Sequence, residues 1–112
     1  MEKDPKVFIE HILDCIDLIE KYMQGKSEDD FMESAELQDC VIRRIEIIGE
    51  AVKNLPETIK KKYPDIQWKR IAGMRDVLIH EYFGVDLDLT FKVIKKDIPI
   101  LKEKMLAIRK ER

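Results

Sequence analysis

The fold is decided by the stretch "LQDCVIRRIEIIGEAVKNLP", residues 37–56. Its apolar side chains recur every three or four residues, which is the spacing of one face of an α-helix. Proline disfavours helical geometry in the residue before it, so Pro56 should end the element. The stretch therefore predicts a long helix with one buried face. The residues of that face are Leu37, Val41, Ile45, Ile48, Val52 and Leu55.

A second apolar stripe precedes this helix. Asp4 is a suitable N-cap and Pro5 a suitable first helical residue. Gly25 is positioned to end the helix in a left-handed conformation. These signals predict a first helix from about residue 5 to the glycine. Its stripe consists of Phe8, Ile12, Cys15, Ile19 and Tyr22.

Two shorter helical segments are expected between and after these helices. Ser27 resembles an N-cap, with Asp30 in the position of the usual capping-box glutamate, which predicts a short helix over residues 28–33. Residues 57–65 are polar, basic and interrupted by Pro64, so they are expected to form a short helical turn and a connector.

A third stripe lies near the carboxyl end of the sequence. Asp86 can cap its helix. Pro99 falls inside the pattern and should kink or split the helix near Lys96 and Asp97. No segment alternates like a strand, so the prediction is an all-α fold, an antiparallel bundle of four to five helices. The third stripe consists of Phe91, Ile94, Ile98, Leu101, Met105 and Ile108.

Length, composition and charge limit the number of domains and the kinds of partner that the protein can have. The 112 residues suit a single domain, 1–112, and 45% hydrophobic residues are enough for a core. The net charge of -2 excludes a generally basic nucleic-acid binder, so RNA binding would need a local patch. There is no signal core and no apolar run of membrane-spanning length, which favours a cytoplasmic protein without a membrane partner. Cys15 and Cys40 match no metal or redox spacing and are expected to be reduced core cysteines.

The stretch "WKRIAGMRDVLIHEYFGVD", residues 68–86, carries the unusual side chains. Periodicity predicts one helix from about Gln67 to Tyr82, terminated by Gly84. On this helix Val77 would lie at the edge of the face that points into the bundle. That inward face would consist of Ile71, Met74 and Leu78.

The same projection predicts a dimer. Ile79 would fall between Arg75 and His80, on a flank away from the core. An isoleucine there is explained if the flank packs on a second copy of the chain. A two-fold homodimer would bring two copies of Arg75 and His80 towards one cleft.

This stretch resembles the HEPN superfamily and, within it, the HepT-like toxins. Their Arg-x-x-x-x-His-x-Tyr motif is matched by Arg75, His80 and Tyr82, and residues 43–56 resemble the corresponding family helix. The resemblance implies a homodimeric helical bundle with metal-independent endoribonuclease activity on RNA. It also implies a partner, a minimal nucleotidyltransferase antitoxin that uses ATP to attach AMP to Tyr82.

The implied chemistry suits the catalytic pair. Histidine can move protons near neutral pH, and arginine can grip phosphate oxygens. The two copies of His80 in a dimer would serve as base and acid, or Arg75 would act electrostatically and His80 alone would carry protons. Asp76, four residues before His80, would orient its ring.

Further residues are candidates for supporting roles. Glu50 is one helical turn from Glu46, and the family resemblance implies a role for it beside Arg75; the alternative is that both acids belong to a solvated ion-pair face. Lys69 and Arg70, with the basic run at 60–62, are candidates for RNA binding. No metal site is expected, because no His-Glu-x-x-His pattern or cysteine pair occurs, and no cofactor is implied. His11 is assigned a structural role.

Two other functions compete with the nuclease. The first is a non-catalytic HEPN subunit that binds or scaffolds a nucleotidyltransferase. The second is an unrelated regulatory four-helix bundle. An intact set of Arg75, His80 and Tyr82 favours the enzyme, because a scaffold would not require all three.

Overall fold

The computed structural model of the chain describes residues 4–80 and 84–111, without the side chain of His80. None of the helices in these ranges is long and apolar enough to cross a membrane. In chain order the elements are α1 (Pro5–Met23), α2 (Glu28–Glu33), α3 (Ala35–Asn54), α4 (Glu57–Lys62), α5 (Trp68–Ala72), α6 (Met74–Leu78), β1 (Ile79–His80), β2 (Gly84–Val85), α7 (Leu87–Lys92), a π-helical turn (Val93–Asp97) and α8 (Ile98–Glu111).

The three apolar stripes meet in one core. Helix α1 packs against α3 and α8, and α3 also packs against α5 and α6. Ile12, Ile45 and Met105, one from each long helix, are fully buried. Burial of each such side chain contributes about 1.5–3 kcal/mol, so the stripes provide most of the stabilisation. The predicted all-α bundle is confirmed.

The predicted helix ends are also confirmed. Asp4 Oδ1 accepts a hydrogen bond from the Lys6 amide at 2.9 Å. Ser27 and Asp30 form a reciprocal capping box, with hydrogen bonds of 2.9 and 3.1 Å. These bonds from Ser27 lower the pKa of the Asp30 carboxyl. Gly25 follows α1 with a positive φ of 72°, which a residue with a side chain would adopt at a cost.

The carboxyl-terminal stripe is interrupted where Pro99 predicts. The π-helical turn precedes α8, and the Ile98 amide donates to the carbonyl of Val93, five residues earlier. Pro99 has no amide hydrogen to continue the regular α-helical pattern, and the wider turn accommodates this loss. Asp86 caps α7 by accepting from the Leu89 amide at 3.0 Å.

Prediction of a single helix over residues 67–82 is wrong. The segment forms two five-residue helices, α5 and α6, joined at Gly73, and becomes extended after Leu78. The Leu78 carbonyl accepts a 2.7 Å hydrogen bond from the Asp86 amide, so the returning chain satisfies the group that a continuing helix would have used.

Strands β1 and β2 form a small antiparallel ribbon, which the sequence did not predict. Ile79 pairs with Val85, and His80 pairs with Gly84. Gly84 was predicted to terminate a helix but lies in β2 with a φ of 79°. Ile79 and Val85 both pack against the core. Extended backbone allows these opposed side chains to reach the core together, so tertiary packing overrides helical periodicity here.

Val77 and Ile79 have the opposite exposure to the one predicted. Met74 and Leu78 are buried as expected. Ile79 is half-buried on the core because the helix has already ended, so it is not an apolar residue on an outward flank. Val77 is 56% exposed and lies on the outer side of α6, away from the core edge where it was predicted.

The cysteines lie on helices of the bundle and form no disulfide. Cys15 is buried in the core, and burial raises the pKa of its thiol although Arg44 partly offsets this effect. Cys15 is therefore a neutral thiol near pH 7 and behaves as a small apolar side chain. Cys40 is half-buried.

Candidate functional site

A close backbone approach places the start of α6 over α3. A Cβ built on Gly49 of α3 would lie only 3.0 Å from the carbonyl oxygen of Ala72, at the end of α5. A larger residue would push that carbonyl away. Gly49 therefore determines how closely the junction at Gly73 approaches α3, and this junction carries the first turn of α6.

Arg75 occupies that first turn. Its side chain is 49% exposed, and its Nε lies 3.7 Å from Glu46 Oε2 on α3. Its Nη1 lies 3.4 Å from Asp76 Oδ1. Exposed pairs of this kind contribute little to stability but restrict where the guanidinium lies. The group has five N–H donors in all, so donors remain for a phosphate.

Arg75 is on the wall of a cavity of about 410 Å³ between α3 and the α5–α6 junction, which we call the Arg75 pocket. The predicted supporting residues Glu50 and Asp76 line it too. Glu50 pairs with Lys53 at 3.5 Å, so the direct acidic partner of Arg75 from α3 is Glu46. The pocket is balanced in charge: its cations are Arg43, Lys53 and Arg75, and its acids are Glu46, Glu50 and Asp76.

The other motif residues are placed only in part. The backbone of His80 lies in β1, two residues after the end of α6. The helical spacing that would aim Asp76 at His80 is absent, because α6 ends at Leu78, and Asp76 instead accepts a hydrogen bond from Arg75. The His80 side chain and the whole of Tyr82 lie outside the described residues.

The predicted RNA-binding residues line a neighbouring cavity. Lys69 and Arg70 belong to a groove of about 500 Å³ between α4 and α5. Arg70 Nη1 donates to Asp97 Oδ1 at 2.8 Å, which ties α5 to the π-helical turn. Of the basic run at 60–62, only Lys60 lines the groove, while Lys62 lies over the ring of Tyr63.

Three contributors to the site were missed or undervalued by sequence reasoning. Glu46 was noted only as a neighbour of Glu50, and Gly49 and Lys53 were not singled out. The available signal was Gly49 itself, since a glycine inside a strongly periodic helix indicates a close backbone approach. The acids on either side of it, Glu46 and Glu50, mark the same face of α3.

The motif supplies two kinds of group that can act on a phosphodiester. Within residues 4–80 and 84–111, no three His, Cys, Asp or Glu side chains form a group suited to a metal ion. Arg75 offers a permanently charged fork for a phosphate, and the histidine five residues later offers a proton carrier. Phosphodiester cleavage needs both kinds of group.

A family model described as "Ribonuclease HepT-like" matches residues 12–108. The chain belongs to the HepT-like ribonuclease family. The membership predicted from the motif is thus confirmed, and ribonuclease is the enzyme class of this family. No solved structure matches the chain.

Individual relatives of this HepT-like chain are also named as ribonucleases. A Methanocaldococcus jannaschii protein, named as a gamma-glutamylcyclotransferase and candidate RNase, is 60% identical over 99% of the chain, which spans 50% of that relative. A Thermococcus cleftensis protein named "Probable ribonuclease HepT" is 44% identical over 98% of the chain and 100% of its own length. A candidate RNase of Caldanaerobacter subterraneus is 47% identical over 95% of each chain.

Proposed function

We propose that the chain is a metal-independent endoribonuclease whose catalytic residues are Arg75 and His80. It acts as the toxin of a toxin–antitoxin pair, in the cytoplasm where its RNA substrate is found, and residues 1–112 serve as one HEPN domain. The observation that carries the proposal is the position of Arg75, held by Glu46 and Asp76 on the wall of an open pocket and followed by His80 after a sharp change of backbone direction.

The reaction needs two proton transfers and charge stabilisation. The ribose 2'-oxygen attacks phosphorus, its proton passes to a base, and the bond to the 5'-oxygen breaks as that oxygen gains a proton. The products are a 2',3'-cyclic phosphate and a free 5'-hydroxyl. His80 carries protons, and Arg75 stabilises the negative charge that builds on the phosphate oxygens. The acids beside Arg75 hold it in place without using all of its donors.

The active form in this proposal is a homodimer. The outer side of α6 presents Val77, 56% exposed, beside the charged Arg75 and Asp76. Burial of Val77 against a second copy would remove this apolar surface from water and bring two Arg75 pockets together.

A sedimentation experiment tests the interface. Val77→Asp should shift the protein towards monomer and lower cleavage at the same concentration. Ile100→Asp is the matched control, because Ile100 on α8 is 49% exposed and lies outside the Arg75 pocket. A wild-type protein that is monomeric at high concentration would exclude the dimer.

The proposed partner is a minimal nucleotidyltransferase antitoxin. The Tyr82 oxygen attacks the α-phosphorus of ATP, pyrophosphate leaves, and the phenolic proton passes to a base of the partner enzyme. The resulting phosphodiester adds a negative charge and a bulky base to the motif, seven residues after Arg75 in the sequence. Both would oppose RNA binding, by neutralisation and by occlusion.

The nuclease is tested with purified chain and total RNA in the presence of EDTA. Arg75→Ala and His80→Ala should each lose cleavage by about a hundredfold or more, as expected for loss of an acid–base or charge-stabilising group, with unchanged thermal unfolding. Activity of the wild type that vanishes with EDTA would indicate a metal mechanism. Full activity of His80→Ala would refute the assignment, and an inactive wild type that still binds the nucleotidyltransferase would favour the scaffold.

The switch is tested by co-expression with the nucleotidyltransferase and ATP. Tyr82→Phe should cleave RNA yet escape inhibition, while mass spectrometry of the wild type should find adenylate on Tyr82. Suppressed toxicity with no adenylate, or with adenylate on another residue, would contradict the proposal.

A further inference from the structure

The groove between α4 and α5 adjoins the Arg75 pocket. The two cavities share Lys53 and Ala72 as lining residues, so one surface leads from the guanidinium of Arg75 into the groove. The groove measures about 500 Å³. This volume lies within the range of about 300–1,000 Å³ that is typical of small-ligand sites, so it is suited to a nucleotide or two and is too small for a duplex.

The groove differs from the Arg75 pocket in charge. Four cations line it, Lys53, Lys60, Lys69 and Arg70, against the single acid Glu57. The Arg75 pocket has three of each sign. The lining of the groove is therefore more positive than that of the Arg75 pocket, although the protein as a whole carries a net charge of -2.

The four cations are not equally available. Asp97, whose side chain is only 15% exposed, holds Arg70 at 2.8 Å. Glu57 lies 3.6 Å from Lys60, and Glu50 lies 3.5 Å from Lys53. Lys69 is exposed and has no ion pair within 4 Å among residues 4–80 and 84–111. Lys69 is thus the cation freest to bind a ligand, and Lys60, whose side chain is 17% exposed, lines the same groove.

The inner wall of the groove is apolar and rigid. Ile66, Trp68 and Ala72 form it, and the Trp68 indole N–H donates to the carbonyl oxygens of Lys60 and Tyr63, at 3.2 and 3.1 Å. These bonds fix the indole to the end of α4 and to the connector. Trp68 is 8% exposed, so only a small part of its side chain reaches the groove. A basic rim beside an apolar wall is the arrangement that holds single-stranded nucleic acid.

We propose that this groove is a subsite for single-stranded RNA next to the cleaved bond. Lys69 and Lys60 bind the phosphate that flanks the scissile one, and a neighbouring base packs on the apolar wall. The proposal rests on the nuclease function, because it assigns the path of that enzyme's substrate. Arg70 is not a phosphate ligand in this arrangement and instead anchors α5 to the π-helical turn.

Two substrates separate a flanking subsite from a catalytic defect. A dinucleoside monophosphate contains only the scissile phosphate, whereas a single-stranded RNA oligonucleotide also fills the groove. Two variants are compared. The single variant is Lys69→Gln, which should fold normally because Lys69 is exposed. The double variant combines Lys69→Gln with Lys60→Gln. Lys61→Gln is the matched control, because it removes the same charge from α4 outside the groove.

On the oligonucleotide, KM should rise about threefold to fivefold for Lys69→Gln, the size expected of an exposed charge pair, and should rise further for the double variant, with kcat nearly unchanged. Lys61→Gln should behave as the wild type, and all variants should cleave the dinucleoside monophosphate equally. With His80→Ala added to prevent cleavage, fluorescence anisotropy should show a salt slope about 0.7 smaller for the double variant, because the two lysines together neutralise one phosphate of a single strand.

The outcomes distinguish the two proposals. If the wild type cleaves RNA but the double variant matches Lys61→Gln in KM and salt slope, the subsite is excluded and the nuclease stands. If the double variant lost as much cleavage of the dinucleoside monophosphate as of the oligonucleotide, the subsite would also be excluded. If the wild type cleaves neither substrate, the nuclease fails, and the anisotropy of the His80→Ala series still decides whether the groove binds RNA.

Discussion

Helical periodicity predicts the conformation of the long helices of the bundle, but it does not predict that of the segment from α5 to β2. Helices α1 and α3 each keep one conformation for 19 and 20 residues, and their buried residues follow the helical period. The segment contains a similar density of apolar residues but changes conformation at Gly73 and again after Leu78. Periodic burial along one face is enough to specify a helix, whereas this segment must also bury Ile79 and Val85 side by side.

The two regions also differ in what they contribute: the bundle provides stability, and the segment carries residues of the candidate site. The bundle derives its stability from side chains that water does not reach, and its charged outer faces contribute little. The segment exposes Arg75 and Val77 and is held by the burial of Trp68, Met74 and Leu78 and by the approach of Ala72 to Gly49. Substitutions in the segment should therefore separate activity from stability where similar substitutions in the bundle would not.

The largest effect should come from a pair of neighbours in α6. Leu78→Ala removes a side chain that is 0% exposed and should lower the free energy of unfolding by about 2–5 kcal/mol. Val77→Ala should change it by less than about 0.5 kcal/mol, because Val77 is 56% exposed. Urea denaturation at low protein concentration measures both. Equal losses in the two variants would mean that α6 does not present the faces described.

A smaller change in the free energy of unfolding is expected at Gly49, where α3 contacts the end of α5. Alanine normally stabilises a helix interior by about 1 kcal/mol relative to glycine. Gly49→Ala should instead destabilise by about 1–3 kcal/mol, because its Cβ would lie 3.0 Å from the Ala72 carbonyl. The shift should also move Arg75 relative to Glu46 and reduce RNA cleavage.

The control for this close approach is Gly73→Ala. Its Cβ would lie 3.4 Å from the Lys69 carbonyl, close to an ordinary van der Waals distance, and its φ is negative. Thermal unfolding and cleavage should both remain near wild type. A Gly49→Ala protein that is more stable than wild type and fully active would show that the approach to α3 does not position the site.

The smallest effect concerns the acid stability of the bundle. Hydrogen bonds from Ser27 lower the pKa of Asp30 in the folded state, so their contribution is present above the ordinary carboxyl pKa and is lost as pH falls through the lower folded value. Asp30→Asn should therefore have a flatter acid limb in urea midpoints measured against pH. An unchanged acid limb in Asp30→Asn would exclude this linkage.

Three residues that the sequence grouped as candidates lie together in the structure, while their roles stay predictions. Arg75, Asp76 and Glu50 were named from the motif and from the face of α3, and all three line one pocket. Glu46 as the partner of Arg75 and Lys53 as the link to the groove depend on how α5 and α6 sit on α3, which no local pattern specifies. The catalytic roles of Arg75 and His80 and the modification of Tyr82 remain predictions.

Local patterns in the sequence specify the long helices, their caps, the interruption at Pro99 and the family resemblance, because periodic burial, N-cap chemistry and proline geometry act within a few residues along the chain. Tertiary packing instead breaks residues 68–80 into two helices and a strand, turns Val77 outward and packs Ile79 against the core. Those outcomes depend on interactions between distant residues: Gly49 with Ala72, Ile79 with Val85, and the Leu78 carbonyl with the Asp86 amide. Helical periodicity in a short segment is a weak preference, and burial of two apolar side chains with their backbone groups satisfied outweighs it.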